Sequence, residues 1–161
     1  MRNYLFFGFA FIALSSCNTN VVTTEYKSLP GAVWNKDDVL EFSFSETDTL
    51  QKYNMYINVR NDNNFPYSNL YLITSLNTPK GEVLQDTLEY DMALPDGTWL
   101  GKGTGSSREN KLWYKEKIVF PTSGVYTLEV SHAMRKNGNI QGVMALEGIT
   151  DVGLEITKSN P

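Results

Sequence analysis

The 161-residue chain contains a single cysteine, Cys17, and a single histidine, His132. One cysteine cannot form a disulfide within the chain, so a disulfide-stapled scaffold is excluded. One histidine excludes a zinc site built from several histidines, and a Ser-His-Asp arrangement would depend on His132 alone. After Cys17, no run of 18 consecutive apolar residues occurs, so this part of the sequence predicts no transmembrane helix.

The chain is also poor in positive charge. Its 14 Lys and Arg residues against 18 Asp and Glu residues give a formal net charge of -4. This balance argues against nucleic acid as a partner, because nucleic acid is bound by basic surfaces. Basic residues do gather locally, at Lys102, Arg108, Lys111, Lys115 and Lys117. This group is either an ordinary solvated surface or one that faces a partner.

The N-terminus has the features of a bacterial lipoprotein signal. Arg2 is followed by an apolar run at residues 4–14, and two serines precede Cys17. A secretory signal combines a positive start, an apolar stretch of roughly 7–15 residues and small residues before the cut. We expect residues 1–16 to be removed, Cys17 to carry a covalent lipid, and residues 17–33 to serve as a tether. The alternatives are an ordinary secretory signal in which the cysteine is accidental, or an N-terminus that is apolar by chance.

Apolar and polar residues alternate in a series of short segments between residues 34 and 158, and such alternation is typical of half-buried strands. The apolar positions that share a face include Leu40, Phe42 and Phe44; Met55, Ile57 and Val59; Leu70 and Leu72; Leu84, Leu88 and Tyr90; Tyr126, Leu128 and Val130; and Val152, Leu154 and Ile156. We expect seven or eight strands and no long helix. This predicts an all-β domain at 34–158, a single antiparallel β-sandwich of jelly-roll or immunoglobulin-like type.

No pattern in the chain predicts an active site. His132 alternates with Leu128 and Val130 at the end of a predicted strand, which favours a packed histidine over a catalytic base. The glycine-rich segment 101–106 lacks the phosphate-loop pattern, and the polar segment 61–64 lacks the calcium-loop pattern. We therefore expect no catalytic residue, no metal and no cofactor other than the lipid on Cys17.

The sequence around Trp99 predicts a binding surface. Pro95-Asp96-Gly97 is a tight turn, which delivers Trp99 beside a glycine-rich loop that contains Lys102. Trp99 is either a core residue or an exposed contact. We favour the core. Lys102, Arg108 and Lys111 are then the expected partner contacts, and binding through them is expected to be sensitive to salt.

Several aromatic residues lie on the polar phase of the predicted strands, among them Tyr56, Tyr71 and Trp113. Outward-facing aromatic rings bind sugars or protein partners. In a sandwich, such rings are also commonly covered by loops, so both interpretations stay open.

Stretches of the sequence resemble the gliding-motility lipoprotein GldH family. They are the N-terminal lipoprotein signal and the segments Phe65-Pro66-Tyr67-Ser68-Asn69-Leu70, residues 94–103 (LPDGTWLGKG), Phe120-Pro121, Gly124-Val125-Tyr126, Ala133-Met134-Arg135 and residues 148–156 (GITDVGLEI). Together they extend over nearly the whole chain.

The resemblance implies an outer-membrane lipoprotein that is tied to the motility apparatus and to type IX secretion, without enzymatic activity. We therefore expect a structural or assembly component of a cell-envelope machine, with a membrane anchor and envelope proteins as partners. Asn18-Thr19-Asn20 has no acidic cluster of the kind associated with surface export, so we expect the domain to face the periplasm. The alternative is a glycan-binding envelope lipoprotein.

Overall fold

The computed structural model describes residues 20–136 and 138–159, so the predicted signal at 1–16 and Cys17 lie outside the described residues. Within them the chain forms ten β-strands and a single 3-10 turn at Pro30–Ala32, with no α-helix. The strands are β1 (Val21–Ser28), β2 (Val33–Asn35), β3 (Leu40–Glu46), β4 (Lys52–Asn61), β5 (Asn69–Asn77), β6 (Val83–Asp91), β7 (Arg108–Val119), β8 (Gly124–His132), β9 (Ala145–Glu147) and β10 (Ile149–Lys158).

Eight long strands form two antiparallel sheets of four strands each. The first sheet has the order β1-β10-β4-β7 and the second has the order β3-β8-β5-β6. The long strands pair from the two ends of the chain inwards: β1 with β10, β3 with β8, β4 with β7, and β5 with β6. This nested pairing is that of a rolled hairpin, the jelly roll. The predicted sandwich is confirmed. The strand count is ten rather than seven or eight, because β1 and the three-residue strands β2 and β9 add to it.

The core lies between the two sheets. Met55, Ile57 and Val59 of β4 are fully buried, as are Leu128 and Val130 of β8. Burying a side chain of this size contributes roughly 1.5–3 kcal/mol relative to leaving it in water. The alternation seen in the sequence therefore identifies the inward face of these strands correctly.

Aromatic rings join the two sheets at one end of the core. Phe120 lies between Tyr53 of the first sheet and Tyr126 of the second, with ring centroids 5.3 and 4.8 Å away. Phe44 completes the cluster, 5.3 Å from the Phe120 ring. Burial and a hydrogen bond to the Glu46 carboxylate raise the pKa of Tyr53 to about 12.

The expectation that residues 17–33 form a tether is wrong for the part that forms β1. Val21–Ser28 pairs with β10 along its length, so the folded part of the chain begins at Val21 rather than at Trp34. The strand was missed because it lies at the edge of the first sheet and its core-side positions carry Thr23, Glu25 and Lys27. Charged residues that point inward on an edge strand are a common protection against aggregation, and they remove the apolar alternation.

The connections between long strands lie at two opposite ends of the sandwich. The short-loop end holds residue 20, the loops 47–51, 78–82 and 120–123, and residue 159. The long-loop end holds the connections 29–39, 62–68, 92–107 and 133–148. Because most of the long strands that join them have eight to ten residues, the two ends are separated by about 30 Å.

Candidate functional site

All four residues predicted to contact a partner lie at or near the long-loop end. Trp99 forms an isolated β-bridge with Ala93 and is partly buried against the core. Its ring centroid lies 6.2 Å from that of the buried Phe65. The indole therefore packs over the edge of the core and leaves part of its surface in solvent.

The turn before Trp99 is held by its own hydrogen bonds. The Leu94 N–H donates to Thr98 O at 2.8 Å, and the Thr98 N–H donates to Asp96 Oδ1 at 2.9 Å. Gly97 supplies a φ of +86°, which a residue with a side chain rarely adopts. Hydrogen bonds from Thr98 also lower the pKa of the Asp96 carboxyl. The turn thus has the chemistry that its sequence predicts.

The glycine-rich loop 101–107 is closed at its base. Lys102 and Glu109 exchange backbone hydrogen bonds of 2.8 and 2.7 Å. The Arg108 guanidinium donates to Gly105 O at 2.8 Å and to Ser107 O at 2.9 Å. The Arg108 side chain therefore stabilises the loop through two backbone carbonyls. Part of the hydrogen-bonding capacity of Arg108 is already used within the protein.

Lys102 and Lys111 line one open depression of about 670 Å³. Its walls are formed by Asp91, Leu100, Gly101, Lys102, Gly103, Glu109, Asn110, Lys111 and Leu112. Trp99 and Arg108 do not line it. The structure thus brings together two of the four predicted residues, and it adds Leu100, whose side chain is exposed. The walls also carry the carboxylates of Asp91 and Glu109, so the place for a partner carboxylate is at Lys102, beside an apolar partner side chain at Leu100.

Lys111 is already engaged on the outer face of the first sheet. Its Nζ lies 2.7 Å from Glu155 Oε1 and 4.1 Å from the centroid of the Tyr56 ring. The Tyr56 ring packs 4.5 Å from the ring of Trp113, which is 54% exposed. Asn58 Nδ2 donates to the second oxygen of Glu155 at 3.1 Å. Of the two lysines that line the depression, Lys102 forms no ion pair with any residue that the structure describes.

A second group of side chains on this outer face was missed in the sequence. Glu109 accepts from the Tyr26 hydroxyl at 3.0 Å and from Arg60 Nε at 2.8 Å. The guanidinium of Arg60 lies 4.2 Å from the centroid of the Tyr26 ring. Burial and the bond to Glu109 raise the pKa of Tyr26. A Cβ on Gly153 would lie 2.7 Å from Cδ1 of Tyr26, so glycine is what lets this ring lie on the sheet.

The long-loop end carries further grooves beside the connection 133–148. Three adjoining depressions of about 380, 620 and 550 Å³ share Lys136, and the two larger ones also share Tyr71 and Arg135. The Tyr71 hydroxyl donates to Glu89 Oε1 at 2.6 Å, which raises the pKa of Tyr71 and lowers the pKa of Glu89. Sequence reasoning did not select Arg135 and Lys136, although Arg135 lies in a stretch that carries the family resemblance.

His132 is buried, and its ring packs edge-on against Trp34 with centroids 5.5 Å apart. Its Nε2 lies 3.1 Å from Trp34 O. Burial lowers the pKa of His132, which favours the neutral ring. The prediction of a packed histidine is confirmed.

The polar segment 61–64 forms a self-contained turn. Asp62 Oδ1 accepts from the Asn64 N–H at 2.8 Å, and Asp62 Oδ2 accepts from Asn64 Nδ2 at 3.1 Å. Across residues 20–136 and 138–159, no three His, Cys, Asp or Glu side chains are grouped so that they would hold a metal ion. The same residues contain no helix of the length and apolarity needed to cross a membrane.

Comparison with known proteins decides the family. The model of the GldH lipoprotein family matches residues 21–156. The chain belongs to the GldH lipoprotein family. This confirms the resemblance seen in the sequence. The matched segment begins at the first residue of β1 and ends inside β10, so it extends from the first long strand of the jelly roll to the last.

Two relatives of the GldH family match along almost their full length. The gliding motility lipoprotein GldH homolog of Christiangramia forsetii is 48% identical over 154 residues, which cover 96% of this chain and 94% of that protein. The gliding motility lipoprotein GldH of Flavobacterium johnsoniae is 46% identical over 151 residues, which cover 94% of this chain and 93% of that protein. The chain is therefore a gliding-motility-associated lipoprotein of the GldH family.

Among solved structures, this GldH-family chain matches the VP2 subviral particle of infectious bursal disease virus. The match has 12% identity and a TM-score of 0.33, and it covers 83% of this chain and 33% of that one. A likeness this weak carries no functional argument. The identification rests on the family match and on the two relatives.

Proposed function

We propose that this protein is a non-enzymatic structural or assembly component of a gliding-motility and type IX secretion machine, held on the outer membrane by a lipid on Cys17. The observation that carries the proposal is the match to the GldH family from residue 21 to residue 156. The N-terminal signal supports the anchor, because it places the only cysteine of the chain directly after the predicted cut.

The contact with a protein partner is assigned to the depression that contains Lys102. This lysine is exposed, lies beside the exposed Leu100, and has no ion-pair partner in the described part of the chain. Lys111 lines the same depression, and its charge is shared with Glu155. Arg108 and Trp99 are assigned supporting roles, because one closes the adjoining loop and the other packs on the core.

The experiment is deletion of the gene, followed by complementation and measurement of both surface spreading and secreted-protein release. Wild-type protein is expected to restore both activities, and Lys102→Glu to restore neither in full, because the reversed charge repels an acidic partner group. Lys36→Glu is the matched control, since Lys36 is also exposed at the long-loop end but does not line the depression. Full activity of Lys102→Glu at a wild-type protein level would contradict the assigned contact.

The anchor is tested separately with Cys17→Ala. This variant should neither incorporate labelled fatty acid nor remain in the membrane fraction, because acyl chains are the proposed attachment. A Cys17→Ala protein that still labels and sediments with membranes would contradict the lipid assignment. Protease treatment of intact cells tests the proposed periplasmic orientation, and removal of the domain from the cell surface would contradict it.

Glycan binding is the second candidate function, and one observation favours it. The exposed ring of Trp113, supported by Tyr56 and flanked by Lys111, offers the flat aromatic surface on which sugar rings pack. Titration of envelope polysaccharide into wild-type protein and Trp113→Ala tests this role. Binding that is equal in the two proteins, or absent from both, would remove the glycan candidate.

A further inference from the structure

The distance between the expected lipid and the folded domain is short. Cys17 precedes Asn20 by three positions, and β1 begins at Val21. An extended chain spans at most about 3.6 Å per residue, so the three steps from residue 17 to residue 20 can bridge at most about 11 Å. The Lys158 N–H donates to Asn20 O at 2.8 Å, which ties this point to the sheet. A lipid on Cys17 therefore holds the short-loop end close to the bilayer.

The short-loop end exposes apolar side chains near this attachment point. Leu50, in the loop between β3 and β4, is 88% exposed, and Val125, at the start of β8, is 58% exposed. Val83, at the start of β6, is exposed as well. Apolar side chains such as Ile140 are also exposed at the long-loop end. The covalent lipid, rather than exposure alone, decides which end meets the membrane.

Four exposed lysines surround the same end. They are Lys52, Lys80, Lys117 and Lys158. None of them forms an ion pair with a residue in the described ranges, whereas three other lysines do so elsewhere on the domain. The acidic residues at this end are the buried Glu46 and the exposed Asp48, Glu82 and Glu116.

The Asp48 carboxylate accepts the N–H groups of Leu50 and Gln51 at 3.0 and 3.1 Å, so it is turned towards its own loop. Lys52 and Lys158 lie beside the attachment point, because the Lys158 N–H donates to Asn20 O and the Ser159 N–H donates to Lys52 O. The exposed Glu82 and Glu116 lie farther away, in the loop before β6 and on β7, which are the opposite edges of the two sheets. Long lysine side chains beside apolar residues are well suited to an interface, because the methylene stem lies among apolar groups while the ammonium group meets anionic lipid headgroups.

We propose that the short-loop end rests on the surface of the bilayer, with Leu50 and Val125 at the level of the lipid headgroups and Lys52 and Lys158 against anionic lipids. This inference rests on the lipid anchor of the proposed function. It gives the domain a fixed orientation, in which the depression that contains Lys102 faces away from the membrane.

The test uses the lipidated protein reconstituted in vesicles of phosphatidylethanolamine and phosphatidylglycerol. Because Cys17 is the only native cysteine and its sulfur carries the lipid, an introduced cysteine is the one reactive thiol available for labelling. Leu50→Cys and Ile140→Cys are matched positions, since the native side chains are 88% and 92% exposed. With an environment-sensitive fluorophore on each, nitroxide-labelled lipids should quench the probe at position 50 several-fold more than the probe at position 140.

Flotation of the vesicles distinguishes failure of the lipid anchor from failure of the proposed orientation. Protein that floats and is quenched equally at both positions, or more at position 140, overturns the orientation but leaves the anchor intact. Protein that does not float overturns the anchor and the orientation together.

The lysines are tested in the same vesicles, with Lys52→Glu added to the Leu50→Cys protein. Quenching should fall with this change but not with Lys136→Glu, which reverses a charge at the long-loop end. Equal quenching in the two variants would overturn the assigned contact with anionic lipid. Loss of quenching at position 50 only when a second protein is added would show that this end meets a protein instead, and would also overturn the proposal.

Discussion

Replacing Gly148 by alanine tests the closest backbone approach at the long-loop end. Gly148 has a φ of +84°, and a Cβ built on it would lie 2.1 Å from Phe65 N and 2.5 Å from Phe65 Cα. These are backbone atoms, so no side-chain rotation relieves the contact. The Gly148 N–H also donates to Ala32 O, and Gly148 O accepts from the Asp62 N–H, both at 2.8 Å.

The cost of Gly148→Ala has three parts. The left-handed conformation costs an L-residue about 1–2 kcal/mol. Forcing the turn at 62–65 away from its position costs about 1–3 kcal/mol, as for overpacking elsewhere. Weakening the bond from Asp62 to Gly148 removes about 1 kcal/mol more. We therefore expect a loss of about 3–6 kcal/mol in the free energy of unfolding, against a total of about 5–15 kcal/mol for a domain of ordinary stability.

Gly81→Ala is the matched control. Gly81 has nearly the same φ, +82°, but no atom lies within 4 Å of a Cβ built there. Its substitution should cost only the conformational part, about 1–2 kcal/mol. The measurement is urea denaturation of the protein produced without residues 1–17, followed by tryptophan fluorescence. If Gly148→Ala lowers the free energy of unfolding no more than Gly81→Ala does, the close approach to Phe65 is refuted.

Two further predictions concern the core and its edge. Because burial lowers the pKa of His132, the unfolded chain binds a proton more readily than the folded one, so stability should fall as the pH drops below about 6.5. Urea denaturation at neutral and at mildly acidic pH should show that the free energy of unfolding falls by at most about 1.4 kcal/mol per pH unit because of this group. The substitution His132→Gln should reduce that fall. Trp99→Ala should lower the free energy of unfolding by about 2 kcal/mol. This is less than the roughly 3–5 kcal/mol for a fully buried tryptophan, because Trp99 is only partly buried. Unchanged stability with lost partner binding would instead make Trp99 a contact residue.

The sequence predicted those strands that have one apolar face. In β4 and β8 every core-side position from Met55 to Val59 and from Tyr126 to Val130 is apolar, so the alternation is visible without a structure. In β1 the core-side positions are polar, and Lys27 both pairs with Glu25 at 3.3 Å and reaches to 5.6 Å from the Phe42 ring. Its place in the sheet depends on pairing with β10, which no local pattern reveals.

The candidate site was predictable to the same extent. The basic residues near Trp99 and the tight turn before it are local features, and they were identified. The sequence does not show which of these residues already bind a partner within the protein, because those partners are distant in sequence. Glu109 lies 49 positions from Arg60 and 83 from Tyr26, and Lys111 lies 44 positions from Glu155. Such pairs follow from strand register, which only the fold supplies.

Pairing the first long strand with the last has a consequence for how the protein is displayed. It brings residue 20 and residue 159 to the same end of the sandwich and leaves only residues 18–20 between Cys17 and β1. A tether of seventeen residues would let the domain move freely above a membrane, whereas a link this short does not. With the proposed lipid on Cys17 and the proposed orientation, the height of the Lys102 depression would be set by the length of the strands, about 30 Å. A partner held by the same envelope would therefore meet this surface at a nearly constant distance from the bilayer.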